Sequence, residues 1–316
     1  MRGVSIGAWG APPEVGERPE PGRVAGRALV RVSRTSVNPL DLAIGAGRFY
    51  GPLPDLPYTP GAEAVGEVLA SEAHAPGTRV WCLPVVGAMA EVVSVPEEWM
   101  VPVPEGVPDD LAVGLGIAGM AGWMSVLDRA ALVPGETAVV LGAGGVVGQV
   151  AIQAARSAGA ASVVAVSRAA AGRERALALG ADVVVDGGVE DLAGAIAEAC
   201  PDGADVVIDP VWGPPAIAAI RALRRRGRLV QVGNAAAPTA EVPAGALRGG
   251  LLDLRGFSLL IEDPERVRAA YSEIAAAALA GEVTMDVEVV PLDALPEAWA
   301  RQSRGTGGRK TVVAVG

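Results

Sequence analysis

The stretch Leu141-Gly-Ala-Gly-Gly-Val-Val-Gly-Gln149 places glycines at positions 142, 144, 145 and 148. Small residues at this spacing let a backbone approach a pyrophosphate closely, and the helix that follows offers free N–H groups and its positive dipole end. The chemistry such a turn serves is hydride transfer by a dinucleotide. Gly142, Gly144, Gly145, Val146, Val147 and Gly148 are therefore read as cofactor-binding. The next strand ends Val166-Ser167-Arg168, with Arg173 close behind. A carboxylate there would hold the ribose hydroxyls of NAD, whereas a hydroxyl and a guanidinium suit a 2′-phosphate. Ser167, Arg168 and Arg173 thus favour NADPH over NADH.

Metal chemistry lacks its donors. His74 is the only histidine, and Cys82 and Cys200 are the only cysteines. Zinc takes three or four Cys, His or carboxylate ligands, usually at short spacings absent here. His74 reads as a solvated turn residue, and both cysteines as small buried apolar side chains of a reducing compartment, so a cytoplasmic location is expected. The chain of 316 residues carries 26 basic and 36 acidic side chains, a net charge of −10. That balance argues against a phosphate-backbone partner. Arg224-Arg225-Arg226 is expected in the last turn of a helix, where cations complement the dipole. Leu111 to Leu127 is the most apolar run; it holds four glycines, falls short of a membrane span and reads as a buried helix. No nucleic-acid or membrane partner and no targeting segment is expected.

The elements that must position these groups change style along the chain. Up to about residue 110 short strands alternate with Pro-rich turns, among them Arg27–Ser33, Thr78–Leu83 and Ala90–Val95. After Pro134-Gly135, strands and helices alternate: strand Thr137–Leu141, the glycine turn and its helix, strand Ser162–Ser167, helix Arg173–Leu179, strand Asp182–Asp186, helix Leu192–Cys200, strand Asp205–Asp209, helix Pro214–Arg226 stopped by Gly227, and strand Arg228–Val232. This is the pattern of βαβ units on a parallel sheet. Leu251–Leu260 reads as one more strand and Pro264–Ala280 as a helix, before a β-like end at Thr311–Val315. Asp209, Gly233 and Asn234 close two strands of that sheet, at the rim where open α/β folds bind ligands, and are assigned to the cofactor.

Taken together the segments resemble the medium-chain dehydrogenase/reductase (MDR) superfamily, in its zinc-independent, quinone oxidoreductase-like branch. Ser36-Val-Asn-Pro-Leu-Asp41 is similar to VNPxD, and Pro60-Gly-Ala-Glu-Ala-Val-Gly-Glu-Val68 to PGxExxGxV. Pro76-Gly-Thr-Arg-Val80, Gly87-Ala-Met-Ala-Glu91, Leu141–Gly148 and Gly308-Arg-Lys-Thr-Val-Val313 resemble PGDRV, GAYAE, LGATGVVG and the closing GKxVL.

The resemblance implies an α/β protein with a GroES-like β-rich catalytic domain, residues 1–112 and 285–316, and a Rossmann doubly wound parallel-sheet domain, residues 113–284, that binds NADP. It implies an active site in the cleft between them and a homodimer. It brings Asn38 and Asp41 near the reacting pocket, Phe257 to the cleft and Lys310 to the cofactor. Zinc members carry a catalytic Cys where Asn38 stands and a His where Ala62 stands, so no zinc is expected. Where the family continues toward SGLY this chain has Ala46-Gly-Arg-Phe-Tyr50, so the tyrosine hydroxyl is lost at one position and appears one residue later, which makes Tyr50 the candidate proton donor, and a family Thr is replaced by Ala121. Three functions remain open: a zinc-free NADPH-dependent reductase of quinones or α,β-unsaturated carbonyls, an enoyl or enone reductase dedicated to one secondary-metabolite pathway, and an NADPH-binding protein with structural or sensing work. The small-molecule substrate is a quinone or enone in the first two.

Overall fold

The computed structural model describes residues 1–305 and 307–316. The chain opens with β1 (Arg2–Ser5), β2 (Glu14–Glu17), β3 (Arg27–Ser36), α1 (Pro39–Gly45), β4 (Ala64–Ala70), β5 (Arg79–Cys82), β6 (Val92–Pro96), β7 (Met100–Pro102) and α2 (Asp109–Gly114). It continues through α3 (Met120–Met124), β8 (Thr137–Val140), α4 (Val146–Ser157), β9 (Ser162–Ser167), α5 (Ala170–Ala178), β10 (Val183–Asp186), α6 (Leu192–Ala199), β11 (Ala204–Asp209), α7 (Pro214–Ala222), β12 (Leu223–Gln231), α8 (Ala244–Gly250) and β13 (Asp253–Gly256). It ends with α9 (Pro264–Leu279), β14 (Val287–Pro291), α10 (Leu295–Gln302) and β15 (Lys310–Ala314).

Two compact units result. The first comprises Met1–Ile117, Asp263–Leu279 and Met285–Gly316; the second comprises Ala118–Glu262 and Ala280–Thr284. The reading of 113–284 as one domain misplaces α9, which packs within the first unit. The reason is Tyr271: fully buried, it stacks on Trp81 at 5.2 Å between centroids and donates its hydroxyl to the Ala112 carbonyl at 2.9 Å.

In the first unit the strands join in the order β14-β15-β3-β4-β5-β7, with β6 also on β3. The chain's end returns here: β15 lies antiparallel to β3, with Val312 opposite Ser36. Alternating burial along β3 follows its period-two sequence, and Ala28, Val30 and Val32 enter a core with Val68, Val80, Val93 and Met100.

The second unit holds six parallel strands in the order β10-β9-β8-β11-β12-β13. This is the doubly wound order, and its reversal between β8 and β11 puts a ligand crevice beyond their carboxyl ends. Continuous Val, Ile and Ala runs suit strands buried on both faces, and Val139, Val164, Val207 and Leu229 share one core.

The basic run departs from expectation. α7 stops at Ala222, and Arg224-Arg225-Arg226 lie in β12, not in a last helical turn. Leu223 already pairs with Ala204. Gly227 serves close packing instead of ending a helix, since a Cβ there would meet the Ala204 carbonyl oxygen at 3.0 Å. Likewise the strand expected over Leu251–Leu260 is only Asp253–Gly256. The apolar run lies within Asp109–Arg129, which is long and apolar enough to cross a membrane but is 78% buried within the protein. Its helical geometry breaks at Gly116 (φ −58°, ψ −119°).

Candidate functional site

In the second unit the glycine turn is built as its spacing requires. Gly142 takes φ +57°, and Gly145 stands at the N-cap of α4 in extended conformation. A Cβ on Gly144 would meet Ser167 Oγ at 2.9 Å and Gly172 Cα at 3.1 Å; one on Gly148 would meet the Gly142 carbonyl oxygen at 2.6 Å. The turn is therefore held tight against β9 and α5, and the first N–H groups of α4, including those of Val146, Val147 and Gly148, have no partners within the helix. A pyrophosphate fits this arrangement.

The two arginines expected to read a 2′-phosphate separate. Arg168 is exposed just beyond β9. Arg173 is engaged elsewhere, where its Nη1 donates to the carbonyls of Ser167 and Arg168, both at 2.9 Å, and its Nη2 pairs with Asp186 at 3.1 Å. It ties the β9 end to the β10 end. Ser167 is buried under the turn.

Asp209 closes β11 with no exposure. Its Oδ1 accepts the N–H groups of Val211 (2.9 Å) and Trp212 (2.8 Å), while Oδ2 has no partner among the described residues. Burial raises its pKa against those two amide bonds. Gly233 donates to the Asp209 carbonyl at 3.3 Å, and a Cβ there would meet the Pro210 carbonyl oxygen at 2.8 Å. Asp209 and Gly233 thus shape one rim, Asn234 is exposed on it, and Phe257 is buried after β13 with its N–H on the Gln231 carbonyl.

In the first unit a polar cluster surrounds Glu63 and includes Asn38, where the resemblance puts a ligand of the zinc members. Five donors converge on fully buried Glu63: on Oε1, Ser36 Oγ (2.5 Å), Asn38 Nδ2 (3.0 Å) and Lys310 Nζ (3.1 Å); on Oε2, Trp81 Nε1 (3.0 Å) and the Ile117 N–H (2.6 Å). Lys310 Nζ also donates to Asn38 Oδ1 at 2.6 Å, and Asn38 Nδ2 to Ser36 Oγ at 3.0 Å. The geometry follows from topology, because pairing of β15 with β3 delivers Lys310 beside Ser36 and Asn38. Gly116 makes room, since a Cβ there would collide with both Glu63 Oε2 and Trp81 Nε1.

This cluster engages three of the residues expected at the site. Both amide hydrogens of Asn38 are spent within it, leaving none for a substrate. Asp41 is 1% exposed, and its two oxygens accept the N–H groups of Asn38 (2.7 Å) and Ala62 (2.8 Å). Burial, offset in part by those bonds and by Lys310, pushes its pKa up to about 7. Asn38 and Asp41 therefore tie the start of α1 to the 61–63 segment. Lys310, 3% exposed, is held by Glu63 and Asn38. Tyr50 is 76% exposed, its ring against Phe49. Where the resemblance puts two zinc ligands, Asn38 and Ala62 offer an amide and a methyl, Glu63 is already fully hydrogen-bonded, and no group of three His, Cys, Asp or Glu is found among the described residues. Burial pushes the Cys82 thiol up to about 12, so it is inert.

Glu63 and Tyr58 escaped the sequence reading. A carboxylate between Ala62 and Ala64, ahead of an apolar strand, is a signal for Glu63, since buried charges need partners. Tyr58 carried no comparable signal.

The alcohol dehydrogenase GroES-like domain family matches residues 24–105, and the zinc-binding dehydrogenase family matches residues 146–276. Prostaglandin reductase-3 of Bos taurus is 31% identical, over 85% of this chain and 74% of its own length. The human synaptic vesicle membrane protein VAT-1 homolog is 31% identical over 69% of this chain, which spans only 55% of that relative. The quinone oxidoreductase of Thermus thermophilus, solved also as its complex with NADPH, is 30% identical over 100% of both chains with a TM-score of 0.81.

Proposed function

The chain belongs to the medium-chain dehydrogenase/reductase superfamily as a quinone oxidoreductase-like oxidoreductase, and we propose that it reduces a quinone or an α,β-unsaturated carbonyl with NADPH and without a metal. The observation that carries this reading is the saturated Glu63 cluster. Asn38 and Ala62 stand where the resemblance puts the ligands of the zinc members, and Lys310 is bound to Asn38 and Glu63, so polarisation of an alcohol by a metal has no donor set in this chain.

NADPH supplies a hydride when bound. The residues of the second unit support that cofactor: the α4 N-terminus and the Gly144–Gly145 backbone suit its pyrophosphate, and exposed Arg168 suits a 2′-phosphate. The acceptor gains two electrons and one hydrogen as hydride, and a proton from water completes the saturated carbonyl or the hydroquinone. What the protein must add is orientation and a donor for the oxygen on which negative charge develops.

A narrower form of the reading confines this chemistry to one biosynthetic enone. Phe49, standing where relatives have a tyrosine, packs with Ile6, Ile44 and Tyr58 and makes that surface more apolar.

The test follows NADPH absorbance with an ortho-quinone and with an enone, NADH being run in parallel. Faster consumption of NADPH than of NADH with either acceptor supports the reading. Turnover of a bulky enone with silence toward simple quinones selects the narrower form. NADPH binding with no turnover of any acceptor would leave a silent nucleotide binder and overturn the reductase.

A further inference from the structure

The proposed reduction needs a donor at the acceptor's oxygen, and the groups first expected there are committed elsewhere. Asn38 has given both amide hydrogens to Ser36 and Glu63, and both oxygens of Asp41 accept backbone N–H groups. Arg18, Tyr58, Arg301 and Thr311 of the same unit each keep a buried side-chain polar atom without a hydrogen-bond partner among the described residues, and of these Tyr58 is the phenol set in an apolar cluster. Tyr58 is 8% exposed, and its hydroxyl is buried without a hydrogen-bond partner among the described residues. Its backbone is held by an exchange of N–H···O bonds with Ile6 at 2.9 and 3.2 Å. Buried hydroxyls are nearly always paired, because an unpaired one forfeits the bonds it had with water. A ligand oxygen would supply the missing partner.

The surroundings suit such a ligand. Tyr58 forms a cluster with Ile6 and Ile44, and the side chains packed against it, Leu40, Phe49, Leu56, Val85 and Val86, are apolar and only partly buried. Val85 holds φ +70°, which β-branched residues rarely adopt, and donates its N–H to the Ala62 carbonyl at 3.2 Å. An apolar surface with one fixed donor matches a planar carbonyl compound.

We propose that the Tyr58 hydroxyl is the hydrogen-bond donor to the acceptor's carbonyl oxygen, and that Leu40, Phe49, Leu56, Val85 and Val86 form the wall along which its carbon frame lies. This rests on the reductase reading and deepens it. The phenol lends a hydrogen bond and keeps its proton; the proton of the product comes from water. Burial, and then the charge of Asp41, hold the phenol's pKa above its ordinary value, so it stays a donor at neutral pH.

Tyr58→Phe tests the assignment, since it removes one atom that bonds nothing among the described residues. Wild type and variant are compared with phenanthrenequinone and with cyclohexenone, alongside NADPH titration by tryptophan fluorescence and thermal melting. The expected result is a kcat about 100-fold lower, a larger loss with the enone, whose enolate oxygen is the more basic, and unchanged NADPH affinity and melting temperature. An unchanged kcat and KM overturns the Tyr58 assignment and leaves the reductase standing. Lost NADPH affinity or a lowered melting temperature also overturns it, by giving the hydroxyl a cofactor or structural role. Wild-type silence with both acceptors overturns the reductase reading and this assignment together.

Discussion

Lys310 and Glu63, 247 residues apart in sequence, meet at 3.1 Å with 3% and 0% of their side chains exposed. The ammonium arrives on the chain's last strand and the carboxylate stands just ahead of β4. Neither charge is buried alone, and the other donors on Glu63 satisfy its remaining lone pairs. A buried pair of this kind is tolerated only because its hydrogen bonds are complete.

Breaking the pair should therefore be severe. Lys310→Met leaves Glu63 buried and uncompensated and should cost about 3–5 kcal/mol of stability. The double variant Lys310→Met/Glu63→Gln removes both charges and should recover a substantial part of that loss. Urea unfolding of the two variants checks this; a double variant as unstable as the single would refute the charge argument.

Gly116→Ala should destabilise by about 1–3 kcal/mol through overpacking, since the added methyl would collide with Glu63 Oε2 and Trp81 Nε1. A melting temperature equal to that of the wild type would show that the kink relaxes freely.

Asp41 gives the fold a pH dependence of definite sign. Its pKa rises from 3.8 to about 7 on burial, so the folded state binds its proton more tightly than the unfolded chain. This contribution is fully present below pH 3.8 and is lost as pH rises through about 7, with a slope of up to about 1.4 kcal/mol per pH unit. Asp41→Asn should flatten that slope. It should also lower stability at neutral pH, because an amide nitrogen cannot accept the N–H of Asn38 or Ala62. Chemical denaturation across the range decides it, and an unchanged slope in the variant would assign the titration elsewhere.

Arg168 and Arg173 should part company in mutants. Arg168→Ala should weaken NADPH binding by about tenfold, or ~1.4 kcal/mol, with little change for NADH. Arg173→Ala should instead lower the melting temperature, because it unties the β9 and β10 ends. Equal effects on NADPH and NADH from Arg168→Ala would remove the phosphate from its role.

Prolonged chelation should leave turnover and melting temperature unchanged, and added zinc should restore nothing. Loss of activity on chelation with recovery on zinc would contradict the donor-set argument built on Asn38, Ala62 and saturated Glu63.

What depends on short spacing and on residue inventory was legible before any fold was known. Glycines 142, 144, 145 and 148 after an apolar strand could only make a tight turn into a helix, and the βαβ alternation from Thr137 to Val232 dictated a parallel sheet. The shortage of histidine and cysteine argued against a zinc site whatever the fold. Tertiary structure alone decided which polar groups are free to act. Asn38 and Lys310 lie 272 residues apart, so nothing local announces that one spends the other's hydrogen bonds. Arg168 and Arg173 look equivalent in sequence, yet Asp186 and two carbonyls claim only the second. Tyr50 looked like the reactive phenol, while packing against Ile6 and Ile44 buried Tyr58 and left its hydroxyl without a partner among the described residues. Hydrogen-bond capacity is fixed by residue type, but whether it is already consumed depends on which distant partners the fold brings within about 3 Å.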